Sequence, residues 1–115
     1  MGAGLKTVNL EDGMPSIAQA RARLSMEIDA GRRNGVKVLK LVHGYGSSGV
    51  GGDLRIALQA TLQQMARGNE ISDCIYGENW RTSDTRSWRL LKSLPELKRD
   101  SDLGKGNKGI TLVVL

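Results

Sequence analysis

The feature that most constrains this chain is a glycine-rich turn set between an apolar run and an amphipathic one. Val36-Lys-Val-Leu-Lys-Leu-Val42 is rich in β-branched and aliphatic residues, and it reads as a strand that delivers the chain directly to His43. His43-Gly44-Tyr45-Gly46-Ser47-Ser48-Gly49 follows. Leu54, Ala57, Leu58, Thr61 and Met65 then repeat at helical spacing until Gly68-Asn69 stops them. A turn that runs from a strand end into a helix N-terminus gathers unpaired backbone N–H groups and the positive end of the helix dipole, so it suits an oxyanion. Gly44, Gly46, Gly49, Gly51 and Gly52 let the backbone come close to a ligand, and Ser47 and Ser48 add hydroxyl donors.

Two nucleotide motifs are excluded at this turn. Gly44-x-Gly46-x-x-Gly49 has the dinucleotide spacing, but it follows the second strand and too little chain remains for the two-part dinucleotide fold. The phosphate loop of NTPases fails because no Lys-Ser/Thr pair follows Gly49 or Gly52.

The flanking segments supply the rest of a sheet. Leu5-Lys-Thr-Val-Asn-Leu10 alternates as a half-buried strand does, and Ser16, or the Pro15-Ser16 pair, opens a helix with Ile17, Ala20, Leu24 and Ile28 on one face. Gly31 and Gly35 bracket its end. Ile71 to Tyr76 reads as a third strand and Ile110 to Leu115 as a fourth. Between them, Ser83-Asp84 caps a short helix carrying Trp88, Leu90, Leu91 and Leu94 that stops at Pro95, and residues 77–104 read as an insertion. The order β-α-β-α-β-(insertion)-β implies an α/β fold, with helices packed on one sheet whose first three strands are at least partly parallel.

A chain of 115 residues with 39 % hydrophobic content is expected to form one domain over residues 1–115. No stretch approaches the about 20 apolar residues of a membrane span, and the first residues lack the apolar run of a secretory signal. The lone Cys74 cannot form an internal disulfide and lies in an apolar run, as a buried core residue does. With His43 the only histidine there is no Cys/His set for zinc, and a reducing, cytoplasmic setting is the expectation. The net charge of +5 favours an anionic partner, of which DNA or RNA is the commonest for a small basic domain. The excess is local, since from Arg81 onwards eight basic residues face only Asp84, Glu96, Asp100 and Asp102.

The run Lys40-Leu-Val-His43-Gly-Tyr-Gly46, continuing through Gly52-Asp53-Leu54-Arg55, resembles the I-H-G-x-G and G-x-L-R elements of the small MutS-related (Smr) domain family. The ending Gly106-Asn-Lys-Gly109-Ile-Thr-Leu-Val-Val-Leu115 is similar to that family's glycine-rich approach to its last strand. The resemblance implies a two-layer βαβαββ sandwich with a mixed four-stranded sheet that binds DNA or RNA and, in many members, nicks or cleaves it. It assigns the nucleic-acid-contacting loop to His43, Gly44, Gly46 and Gly49. The departure lies in the first strand, where the family carries L-D-x-H and this chain has Val8-Asn9-Leu10-Glu11.

That departure bears on chemistry, because phosphodiester hydrolysis needs a base, an acid, or a metal held by carboxylates. Glu11 and His43 are the candidate catalytic pair, with Asp12 beside them and Mg²⁺ or Mn²⁺ as the ion a nuclease would recruit. The alternative for Glu11 is a solvated turn residue. His43 suits either a hydrogen bond to phosphate or a structural hold on the turn better than it suits a general base. Arg55 either projects beside the anion or balances Asp53, and Tyr45 either stacks on a base or packs under its own loop. Lys105 and Lys108 suit neutralisation of a phosphate backbone. Trp80 and Trp88 with Arg81, Arg86, Arg89 and Lys92 form a basic-aromatic patch in which Trp88 is expected to pack and Trp80 to be exposed. Three functions remain open: backbone recognition of nucleic acid, a nuclease, and a protein-interaction module whose glycine turn is purely structural.

Overall fold

The computed structural model describes residues 4–45 and 50–115. Strands β1 (Leu5–Asn9), β2 (Val38–Val42), β3 (Asp73–Tyr76) and β4 (Ile110–Val114) form one sheet, in the order β1-β2-β4-β3. Helices α1 (Ile17–Arg33) and α2 (Val50–Arg67) connect the first three strands, and α3 (Thr85–Ser93) lies between β3 and β4. β1 and β2 are parallel, with Leu5 opposite Val38 and Asn9 opposite Val42, while β4 is antiparallel to both of its neighbours. The first three strands therefore point the same way, and their carboxyl ends meet at one end of the sheet.

Local signals set the helix boundaries. Ser16 Oγ accepts from the Gln19 amide at 3.1 Å and the Gln19 side chain accepts from the Ser16 amide at 2.9 Å, a reciprocal capping box that starts α1. Ala20, Leu24 and Ile28 form the buried stripe of α1, while Ile17 lies 38 % exposed at its edge. α2 ends at Arg67, and Asn69 takes the left-handed conformation just beyond it, with φ 60°.

The α1–α2 layer packs on one face of the sheet. Leu24, Ile28, Leu54, Leu58 and Leu62 meet Val8, Leu39, Leu41, Cys74 and Val113 there. The connection from β3 to β4 covers the opposite face, placing Trp80, Leu90, Leu91 and Leu97 on Val38, Ile75, Ile110 and Leu112. β2 and β4 are thus buried on both sides, which is why they read as nearly unbroken apolar runs.

One charge interrupts those runs. Lys40 is 6 % exposed on the side of the β3–β4 connection, and its ammonium lies 2.8 Å from Asp100 and 2.5 Å from Asp102. Asp100 also accepts from the Trp80 indole N–H at 2.9 Å. The two tryptophans exchange the positions expected from sequence: Trp80 is 1 % exposed and Trp88 is 46 % exposed. α3 buries Ser87, Leu90 and Leu91, and Trp88 falls just outside that stripe, whereas Trp80 directly follows a short 3-10 turn (Gly77–Asn79) that aims its ring into the core.

Candidate functional site

The candidate residues lie where β1, β2 and β3 end, the end of an open α/β sheet at which ligands generally bind. Past β1, Asn9 Oδ1 accepts from the Glu11 and Asp12 amides, each at 3.0 Å, and so shapes the turn that presents Glu11. The Asn9 side chain therefore has a structural use in this turn. The Glu11 carboxylate lies directly against Gly44, whose φ is +73°, and a β-carbon at Gly44 would collide with it. The positive φ is what favours glycine there, since the exposed Glu11 side chain has room to move aside.

Past β2, the His43 and Gly44 amides both donate to the Gly109 carbonyl, at 2.9 and 3.1 Å. Gly109 is itself fixed, its amide donating to Asn107 Oδ1 at 2.8 Å while Asn107 Nδ2 donates to Asp102 at 3.0 Å. The expectation that amides from His43 onwards gather around an anion is corrected at its first two members, which the protein's own backbone already caps. Gly46, Ser47, Ser48 and Gly49 lie outside the described residues.

His43 is fully buried, and its ring faces inward. Nδ1 lies 2.6 Å from the Gly44 carbonyl and Nε2 lies 2.9 Å from Thr111 Oγ1. Burial holds the imidazole below its ordinary pKa of 6.5, assisted by the Arg55 charge and opposed by the Gly44 carbonyl, Glu11 and Glu78. A neutral ring beside a carbonyl must carry its proton on Nδ1, so Nδ1–H donates to Gly44 and Nε2 accepts from the Thr111 hydroxyl. A ring in this position does not touch a bound phosphate. Of the two roles expected for His43, the geometry supports the hold on the turn.

Of the two expectations for Arg55, the balance with Asp53 is not what the structure shows. Its Nη2 donates to Glu78 Oε2 at 2.8 Å, in the turn after β3, and not to Asp53. Tyr45 is 56 % exposed, its ring edge resting near Gly109, so it is not hidden beneath its loop. It lines a shallow depression of about 310 Å³ with Glu11, Gly44, Asn107 and Gly109. Lys105 and Lys108 are exposed on the segment that Asn107 and Gly109 tie to the turn.

Two members of this constellation are absent from the sequence reading. Glu78 was findable as an acid two residues past a strand end, and Asn107 as the side-chain amide inside Gly106-Asn-Lys-Gly109. Among the described residues, no group of three or more His, Cys, Asp or Glu side chains is placed to hold a metal ion. Cys74 is buried, and burial, with the Asp73 charge, pushes its thiol pKa up. No helix among the described residues is long and apolar enough to cross a membrane.

No protein-family model matches the chain, and no curated protein matches it. Among solved structures, the crystal structure of the Smr domain of Thermus thermophilus MutS2 superposes with a TM-score of 0.59 at 21 % identity, covering 96 % of this chain and 96 % of that one. The likeness seen in short motifs therefore extends to the fold along nearly the whole chain.

Proposed function

We propose that this protein binds the phosphate backbone of nucleic acid at the carboxyl ends of β1 to β3, with little reading of sequence. The observation that carries this reading is the Gly109 carbonyl, which takes both the His43 and Gly44 amides and so holds the Lys105–Lys108 segment against the glycine turn. Two exposed lysines and the exposed Tyr45 flank that contact, and α2 begins five residues after Tyr45. Cations and a helix N-terminus attract phosphate, and a tyrosine face accepts a base. His43 supports this surface from beneath, and the ligand's contacts fall to Tyr45, the Gly46–Gly49 stretch, Lys105 and Lys108. Arg55 is engaged with Glu78. The net charge of +5 and the resemblance to Smr domains, which implies nucleic-acid binding, point the same way.

The test is the salt dependence of binding to labelled single-stranded DNA, branched DNA and RNA. Affinity is expected to fall steeply with salt, and the pair Lys105→Ala with Lys108→Ala is expected to flatten the log–log slope by about one per lysine. No binding to any of the three at low salt removes this reading, and an unchanged slope in the double variant removes the lysines from it.

One observation favours hydrolysis as a second reading: the exposed Glu11 carboxylate lies against Gly44 at the same depression. Glu11 faces a ligand there, as a base or as an anchor for Mg²⁺ or Mn²⁺, whereas His43 does not. Plasmid and RNA incubated with either ion are then expected to be cut by the wild type and left intact by Glu11→Gln. Intact substrate with the wild type retires the nuclease.

A further inference from the structure

Helix α3 reserves one stripe for the core, Ser87, Leu90 and Leu91, and turns the rest of its surface outward. That outer arc carries Arg86, Trp88, Arg89 and Lys92, all exposed, and the helix contains no acid. Trp88 and Lys92 are four residues apart and Arg89 and Lys92 three apart, so these side chains are neighbours on the helix surface. Among the described residues, neither Arg89 nor Lys92 has an acidic partner, and Arg86 reaches Asp73 only at 3.6 Å. The indole is almost half exposed although the same chain seals its other tryptophan in the core.

Two depressions flank this arc along the β3 edge of the sheet. A depression of about 250 Å³ lined by Tyr76, Asn79, Thr85 and Arg86 opens at the carboxyl end of β3. A second, of about 260 Å³, continues along the β3 edge past Asp73, Arg86, Arg89 and Ser93. Both include Ile75 and Arg86, so they adjoin at the β3 edge beside α3.

We propose that the outward face of α3 is a second nucleic-acid contact, where a base of a single strand stacks on Trp88 while Arg89 and Lys92 hold the adjoining phosphates. This rests on the nucleic-acid reading above and extends it to a surface remote from the glycine turn. Duplex bases are already stacked on one another, so a free indole selects an unpaired base. A purely acidic peptide satisfies the cations but offers nothing to stack on the indole, whereas a nucleotide supplies a planar ring and a phosphate together.

Trp80 is sealed, so a ligand that quenches tryptophan emission by stacking does so at Trp88. The probe is a labelled thymidine oligomer of about 20 nucleotides, long enough to exceed one contact site, followed by anisotropy and by tryptophan fluorescence. The wild type is expected to bind with quenching. Trp88→Ala is expected to bind on the order of tenfold more weakly without quenching, and Trp88→Phe to recover part of the affinity. Unchanged anisotropy affinity in Trp88→Ala, with no quenching in the wild type, overturns this inference and leaves the glycine-turn reading standing. No binding by the wild type at low salt overturns both. Equal quenching by poly-glutamate, with the same dependence on Trp88, overturns it in favour of an acidic protein segment.

Discussion

Replacing Lys40 by methionine is expected to cost the fold about 3–5 kcal/mol at neutral pH, the usual penalty for leaving a buried ion cluster without its cation. Methionine keeps most of the side-chain length, so the loss isolates the charge. Asp100, with its side chain 7 % exposed, would keep only the Trp80 indole and its own loop as partners. Denaturant unfolding measures the difference, and a loss under about 1 kcal/mol would place the cluster with ordinary surface pairs. The pH dependence supplies a second check. Burial pulls the Lys40 pKa down, but the hydrogen bonds and charges of Asp100 and Asp102 outweigh it and raise the pKa above the ordinary 10.5. Its contribution is therefore complete below 10.5 and disappears as pH rises through the elevated folded value. Asp102 is held below 3.8 by hydrogen bonds from Lys40 and Asn107, so its contribution is complete above 3.8 and is lost as pH falls through the depressed value. The gap between wild type and Lys40→Met should be widest between those limits and should narrow at both ends.

This cluster also shows where the sequence stops being informative. Val36 to Val42 announces a strand, and the structure has one there from Val38. Lys37 and Lys40 look alike in that run, yet only Lys40 points into a covered face, and its counter-ion Asp100 lies 60 positions away. Nothing local marks a lysine as buried when the acid that permits burial sits at the far end of another segment. The helices were more legible because their determinants are local: Ser16 and Gln19 cap α1 within a single turn, and Asp84 accepts from the Ser87 amide at 3.0 Å to start α3. That the β3–β4 connection covers the second face of β2, β3 and β4 was not visible, since the apolar runs of β2 and β4 require cover on both sides without naming it.

The site divides the same way. The glycine turn's place between strand and helix, and Glu11's position past the first strand, could be read from the order of elements. The fate of the His43 and Gly44 amides could not, because it depends on β4 inserting between β2 and β3 in an antiparallel sense. That insertion brings the Gly109 carbonyl to the turn and Thr111 to the imidazole. A turn that looked like an open cradle of donors thus has its first two amides used internally, and the proposed ligand contacts fall instead to Tyr45 and the lysines. The proposed binding surface depends on strand order as much as on the glycine motif.

Trp80→Ala is expected to destabilise the protein by about 3–5 kcal/mol, and Trp88→Ala by less than about 0.5 kcal/mol. Trp80 is the largest of the fully buried side chains, packed in the cluster that joins the β3–β4 connection to the sheet, and its loss opens a cavity there. It also removes the indole donor from Asp100, so part of the cost belongs to the Lys40 cluster and the two effects should not add. Trp80→Phe separates the terms, keeping much of the ring volume while deleting the N–H, and should fall between wild type and alanine. Paired urea titrations of the three variants read these losses directly. A Trp88→Ala protein that loses as much stability as Trp80→Ala would mean that α3 turns its indole inward in solution. The exposed stacking face proposed for Trp88 would then not exist.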